Sequence, residues 1–150
     1  MQNNEGDLAD AEIRDLRCLA GSMIPASAEY GVPSADDDTI FASILASLGR
    51  DRPQVRMALR DLATRSGGAF ADLPEARRTE VAGAFHARAG DPVASLHRLV
   101  LLCYYRDDRV MLALGMEARP PFPHGHVVEE GDWSLLDPVR ARPKLWRDPG

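Results

Sequence analysis

Apolar positions over the first three-quarters of the chain recur at helical spacing, and prolines, glycines and acidic residues punctuate them. Leu8, Ile13, Leu16 and Leu19 share one side of a helix predicted from about Asp7 to Met23. It stops at Ile24-Pro25 because the residue before a proline is pushed out of the α region. Ser34, with Asp37 three residues on, offers an oxygen acceptor followed by first-turn carboxylates, which marks a second helix start. Ile40, Phe41, Ile44, Leu45 and Leu48 form its apolar stripe, and Gly49 ends it. Asp51 and Pro53 open a third helix with core positions Val55, Leu59, Leu62 and Ala63, closed by Gly67-Gly68. Asp72, Pro74 and Glu75 read as a capping-box-like D-x-x-E for a fourth, which bears Val81 and Phe85 and ends at Gly90.

Asp91-Pro92 starts a fifth helix at once. Leu96, Leu99, Val100, Leu101, Leu102, Cys103, Tyr104 and Tyr105 make it apolar or amphipathic all round. That pattern predicts a central helix enclosed on most sides, with Leu99, Leu102 and Cys103 buried. A short sixth helix runs from Asp108 to Leu114 and ends at Gly115. No strand pattern of any length and no internal repeat interrupts the series. The predicted fold is all-α: a compact domain of about five to six helices over residues 1–115, followed by an extended, Pro-rich C-terminal arm over 116–150. The arm holds six of the eleven prolines and both tryptophans, Trp133 and Trp146. Proline removes a backbone donor and fixes φ, so a regular helix or central strand is not expected over most of it.

Composition narrows the function classes. A chain of 150 residues, 45% hydrophobic and 27% charged, is an ordinary soluble domain. At that length it buries about 70% of its unfolded surface without needing disulfides or a metal. The net charge of -5 has the wrong sign for coating phosphate backbones, so nucleic acid is not an expected partner. The charge is uneven: residues 1–51 carry three basic against ten acidic side chains, and 52–115 ten against seven. Cys18 and Cys103 stand in apolar helical contexts outside any CxxC, which predicts two buried thiols. There is no run of 18 apolar residues and no basic start followed by an apolar stretch, so membrane insertion is not expected and the cytoplasm is the expected compartment.

Candidate chemistry in the body is sparse. His86 and His97 lie on the fourth and fifth helices without an Asp, Cys or Ser at i+3 or i+4, and read as satisfied or solvated histidines. The triple Asp36-Asp37-Asp38 lacks the alternation and glycine of a calcium loop and reads as a helix N-terminal turn. No phosphate-cradling loop, nucleophile elbow or HExxH is present, so neither a catalytic residue nor a cofactor is expected in this chain. In the arm, His124-Gly125-His126 followed by Glu129 and Glu130 invites a metal reading, because alternate residues of an extended segment point the same way. That gives one alternative: a free-standing helical enzyme or metal-binding protein using His124, His126 and Glu130. An arm rich in Pro, Trp, Phe and Arg with interspersed acids is equally what lies along another surface or wraps its own body.

Two stretches resemble a known family. Met23-Ile24-Pro25-Ala26, followed by an acidic spacer and a helix, resembles the "-IPA-" segment of the gluconate 2-dehydrogenase subunit 3 family. Tyr104 to Val110, Leu114-Gly115-Met116, Arg119-Pro120-Pro121, Pro123-His124-Gly125-His126 and Leu135 to Arg142 resemble its C-terminal half. The likeness runs from about Leu8 to Arg147. It implies a small, non-catalytic subunit of a flavin-dependent dehydrogenase of the glucose-methanol-choline type, which oxidises sugars, sugar acids or glycosides. The FAD would then sit in the large subunit, and this chain would support that subunit's folding, stability and assembly. Exported members of the family carry a twin-arginine signal, which is not seen here, so the periplasm is the alternative compartment. The residues expected to meet the partner are Tyr105, Pro121, Phe122, His124, His126, Trp133, Leu136, Arg140 and Trp146.

Overall fold

The computed structural model describes residues 7–88, 90–120, 122–125, 127 and 129–143. Among the described residues six helices form the body: α1 (Asp10–Met23), α2 (Asp38–Ala46), α3 (Arg52–Ser66), α4 (Glu75–His86), α5 (Asp91–Tyr104) and α6 (Asp108–Ala113). Short 3-10 turns at Gly49–Asp51 and Phe70–Asp72 link them. The architecture is all-α, and a single pair of hydrogen bonds between Ser27 and Val32 is the one β-like pairing among the described residues. The chain divides into two compact units, Met1–Ala118 and Arg119–Gly150. The break falls three residues beyond the boundary expected after Gly115.

Local chemistry explains where the helices begin and end. The α1 helix starts at Asp10 rather than Asp7, because the Glu12 carboxylate accepts the Ala9 N–H at 2.9 Å and closes the first turn there. The α2 helix starts at Asp38 rather than near Ser34: Asp37 is its cap and accepts from the N–H groups of Thr39 and Ile40. The Ser34 hydroxyl is turned instead to the Ile24 carbonyl, 3.1 Å away. The expected D-x-x-E box of α4 does not form. Pro74 caps that helix without a side-chain bond, and Asp72 is drawn off to pair with Arg14 at 2.9 Å. Gly67 ends α3 in the left-handed region at φ 71°, where glycine has no Cβ penalty.

The core is built around one face of α5. Val93, Leu96, Leu99, Val100, Cys103 and Tyr104 follow the 3.6-residue repeat and are buried. They pack most extensively on α3, through Val55, Leu59 and Leu62, and on α2, through Ile40 and Ile44. Leu16, Leu19, Phe70 and Phe85 close the remaining sides with no exposed surface. One buried carboxylate lies among them: Asp15, 5% exposed, accepts the Ala71 N–H at 2.9 Å and ties α1 to the 3-10 turn before α4. The close approach of α1 to the segment before α2 depends on Gly21, since a Cβ there would meet Asp36 Cγ at 2.8 Å.

Leu99 and Cys103 are buried as the sequence predicts, but Leu102 is not. It is 57% exposed, and Leu101 and Tyr105 are 41% and 53% exposed. Apolar composition all round a helix states what its side chains avoid; it does not supply neighbours for every side. The core covers only the side that repeats with Leu96 and Leu99. Cys18 likewise is half-buried rather than buried, with the Arg78 guanidinium 3.6 Å from its sulfur.

Candidate functional site

The outward side of α5 is an exposed apolar face. Leu101 and Leu102 fall about 150° and about 110° round the helix from the midpoint of the buried pair Leu99 and Val100, with Ala94 and Tyr105 in line above and below. Met111 of α6 completes a shallow hollow of about 830 Å³. Adjacent tyrosines are split between the two sides. Tyr104 points inward and donates to the Pro33 carbonyl at 3.1 Å, and burial raises its pKa; Tyr105 stands outside with its ring edge-on to Tyr104, centroids 5.2 Å apart. The rim of the hollow is basic. Arg98 is held by Asp51 at 2.7 Å, whereas among the described residues Arg106 donates to the hydroxyls of Ser43 and Ser47, at 3.0 and 3.2 Å. Among the described residues, no carboxylate lines the hollow.

The acidic triple before α2 is a clamp as well as a helix start. Asp37 caps α2 and also takes both terminal nitrogens of Arg109, at 2.6 and 3.2 Å, and this pairing holds its carboxyl at about 2. Arg109 reaches Asp107 at 3.0 Å with the same guanidinium, which lowers that carboxyl too. Arg17 binds the Asp36 carbonyl at 2.9 and 3.1 Å, pairs with Asp38, and lies 5.3 Å over the Phe41 ring. The sequence predicts the helix-start role of these aspartates. Their arginine partners come from α1 and α6, which spacing along the chain does not bring together.

His86 and His97, read from sequence as separate, meet. His86 Nδ1 and His97 Nε2 are 2.9 Å apart, so one ring donates the single proton between them and the other accepts. Burial lowers both pKa values, and the neighbouring His97 lowers that of His86 further. Phe85 sits edge-on to both rings, and His86 Nε2 is buried with no hydrogen-bond partner among the described residues. His86 is the last residue of α4 and His97 the seventh of α5, so the turn between the two helices brings the rings together, which spacing along the chain does not show. His86 also borders a cleft of about 620 Å³ that is lined by Cys18, Ser34, Asp36 and Arg78.

The second unit carries most of the residues expected to meet a partner. Phe122 is 84% exposed and Trp133 66%, while His124, Leu136 and Arg140 are exposed as well. The arm is not wholly extended: a 3-10 turn at Trp133–Leu136 runs into the short helix α7 (Asp137–Arg140). Asp132 accepts from the Ser134 N–H at 3.0 Å and its hydroxyl at 2.6 Å, which lowers the Asp132 pKa, and Pro138 lies in the first turn of α7, where a missing N–H costs nothing. Arg140 turns back to Asp137 at 3.2 Å. Pro121, His126 and Trp146 lie outside the described residues. Of the alternative metal ligands, His124 and Glu130 are both exposed. No described helix is long and apolar enough to cross a membrane.

No protein-family model, no curated protein and no solved structure matches this chain.

Proposed function

We propose that this chain is the non-catalytic small subunit of a flavin-dependent dehydrogenase of the glucose-methanol-choline type, acting on a sugar, sugar acid or glycoside. It supports the folding and assembly of a large subunit that holds the FAD. The observation that carries this reading is the two-sided α5. A helix whose inner face is the centre of the core leaves Leu101, Leu102 and Tyr105 uncovered, and Tyr105 and Arg106 belong to the stretch that carries the family resemblance. An exposed apolar patch of this kind, rimmed by charge, is what an assembly subunit keeps for its partner. The exposed Phe122 and Trp133 add aromatic anchors on a separate unit. The partner is water-facing in this reading, and its complex occupies the cytoplasm or, if exported, the periplasm.

Co-expression tests it. A tagged copy of this chain is produced with the untagged large chain encoded beside it, a chain recognised by a GxGxxG near its N-terminus. Co-purification with a flavin absorbance spectrum is expected, and truncation after Gly115 or Trp133→Ala is expected to weaken recovery. A single purified chain that itself carries stoichiometric flavin, or a flavoprotein that never retains this chain, would overturn the proposal.

A further inference from the structure

We infer that the outer face of α5 docks an acidic amphipathic helix of a different chain: three turns of apolar side chains flanked by a carboxylate that meets Arg106. From Ala94 to Tyr105 the face spans twelve residues, and the eleven rises between them make roughly 16 Å at 1.5 Å each, which matches three turns of an opposing helix. Leu101 and Leu102 stand at its centre and Met111 at its end, so an incoming ridge at i, i+3/i+4 and i+7 finds a groove to fill.

Charge decides the occupant. The hollow is bordered by His97, Arg98 and Arg106 and, among the described residues, by no carboxylate. Arg98 is already neutralised by Asp51, while Arg106 makes its hydrogen bonds to two serine hydroxyls and, among the described residues, to no acid. A second copy of this chain would bring another basic rim against the first. In an antiparallel pairing centred between Leu101 and Leu102, Arg106 would face His97, leaving the guanidinium without a counter-charge in a drying interface. A segment with Leu-type side chains and a Glu or Asp at the flank removes that cost and gives a charge-assisted pair. That the segment belongs to the flavin-bearing subunit rests on the reading above; its chemistry follows from this face alone.

The experiment uses the full chain and a labelled helical peptide of about four turns, with leucines on one side and glutamates at the flanks, read by fluorescence anisotropy; a twin peptide has lysines in place of the glutamates. The glutamate peptide is expected to bind about tenfold tighter than the lysine peptide. Leu102→Asp is expected to remove binding of both, and Arg106→Glu to abolish or reverse the preference. Circular dichroism checks that each variant keeps its helices, and Arg106→Glu serves alone should Leu102→Asp not fold. Equal binding of the two peptides, no binding by either, or a preference untouched by Arg106→Glu would overturn the inference. So would a wild-type dimer in light scattering that Leu102→Asp dissolves, because it hands the face to a second copy. A retained glutamate preference in a chain that fails to join the flavoprotein would sustain this surface and bring down only the subunit reading.

Discussion

Leu99→Ala and Leu102→Ala, three residues apart on one helix, should have very different costs. Leu99 is 2% exposed and packs in the core between α5 and its neighbours; Leu102 is 57% exposed. Truncating Leu99 loses the transfer free energy of a fully buried side chain and leaves an enclosed cavity, together about 2–5 kcal/mol. Truncating Leu102 removes less than half of that transfer contribution and leaves an open notch that water fills. Alanine's better helix propensity returns a few tenths, so the net cost should stay below about 1 kcal/mol. Urea unfolding followed by circular dichroism separates the two, since with slopes of about 1–3 kcal/mol per molar a 3 kcal/mol loss moves the midpoint by roughly 1 M or more. Costs for the two variants within about 0.5 kcal/mol of each other would show that α5 does not have the inner and outer faces argued here.

Asp15→Ala leaves the half-buried Ala71 N–H without its acceptor and should cost about 0.5–1.5 kcal/mol in the same assay, with Asp15→Asn milder because it keeps an acceptor. Asp37→Ala, which removes a helix cap and the Arg109 clamp, should cost about 1 kcal/mol at neutral pH. Because Asp37 titrates at about 2 in the folded chain against an ordinary 3.8, the unfolded chain takes up its proton first on acidification. This stabilisation is therefore complete above about pH 4 and lost between pH 4 and 2, and Asp37→Asn should flatten that part of a stability-against-pH curve. The histidine pair acts at higher pH with the same sign: lowered folded pKa values mean stability falls as pH drops from about 6.5, and His97→Gln should make unfolding midpoints between pH 7 and 5 less steep. In the proposed complex with a flavoprotein, Trp133→Ala should weaken association by about 2 kcal/mol while leaving helical content unchanged.

Several helix boundaries are legible because a residue's own backbone chemistry forces them: Pro25 follows the end of α1, Gly67 ends α3, and Gly90 with Asp91-Pro92 opens α5. Legibility failed where a side chain had a choice of partners. Asp72 could cap α4 or pair with Arg14, and Ser34 could open α2 or reach the Ile24 carbonyl; in both cases a contact from elsewhere in the fold prevailed. The outer face of α5 was misread for a different reason. Leu101 and Leu102 carry the same hydropathy whether their cover is an intrachain helix or another protein, so their pattern locates an apolar surface without naming what meets it. The histidine bridge was invisible to a search for partners at i+3 and i+4, because its second ring comes from the next helix.

The Gly21–Asp36 approach bears on how the sequence can vary. In an ordinary helix interior alanine outperforms glycine by about 1 kcal/mol, and a survey of stabilising changes would try Gly21→Ala early. Here the added methyl would arrive 2.8 Å from the Asp36 carboxyl carbon and push aside the loop whose carbonyl Arg17 holds. The obstruction is a side chain fifteen residues away rather than the helix itself. Removing it with Asp36→Gly should turn Gly21→Ala from harmful to helpful, a reversal of sign that measurement of the two single variants and the double variant would reveal. The order of change therefore matters: a mutational path that alters position 21 before position 36 must first cross a loss of stability.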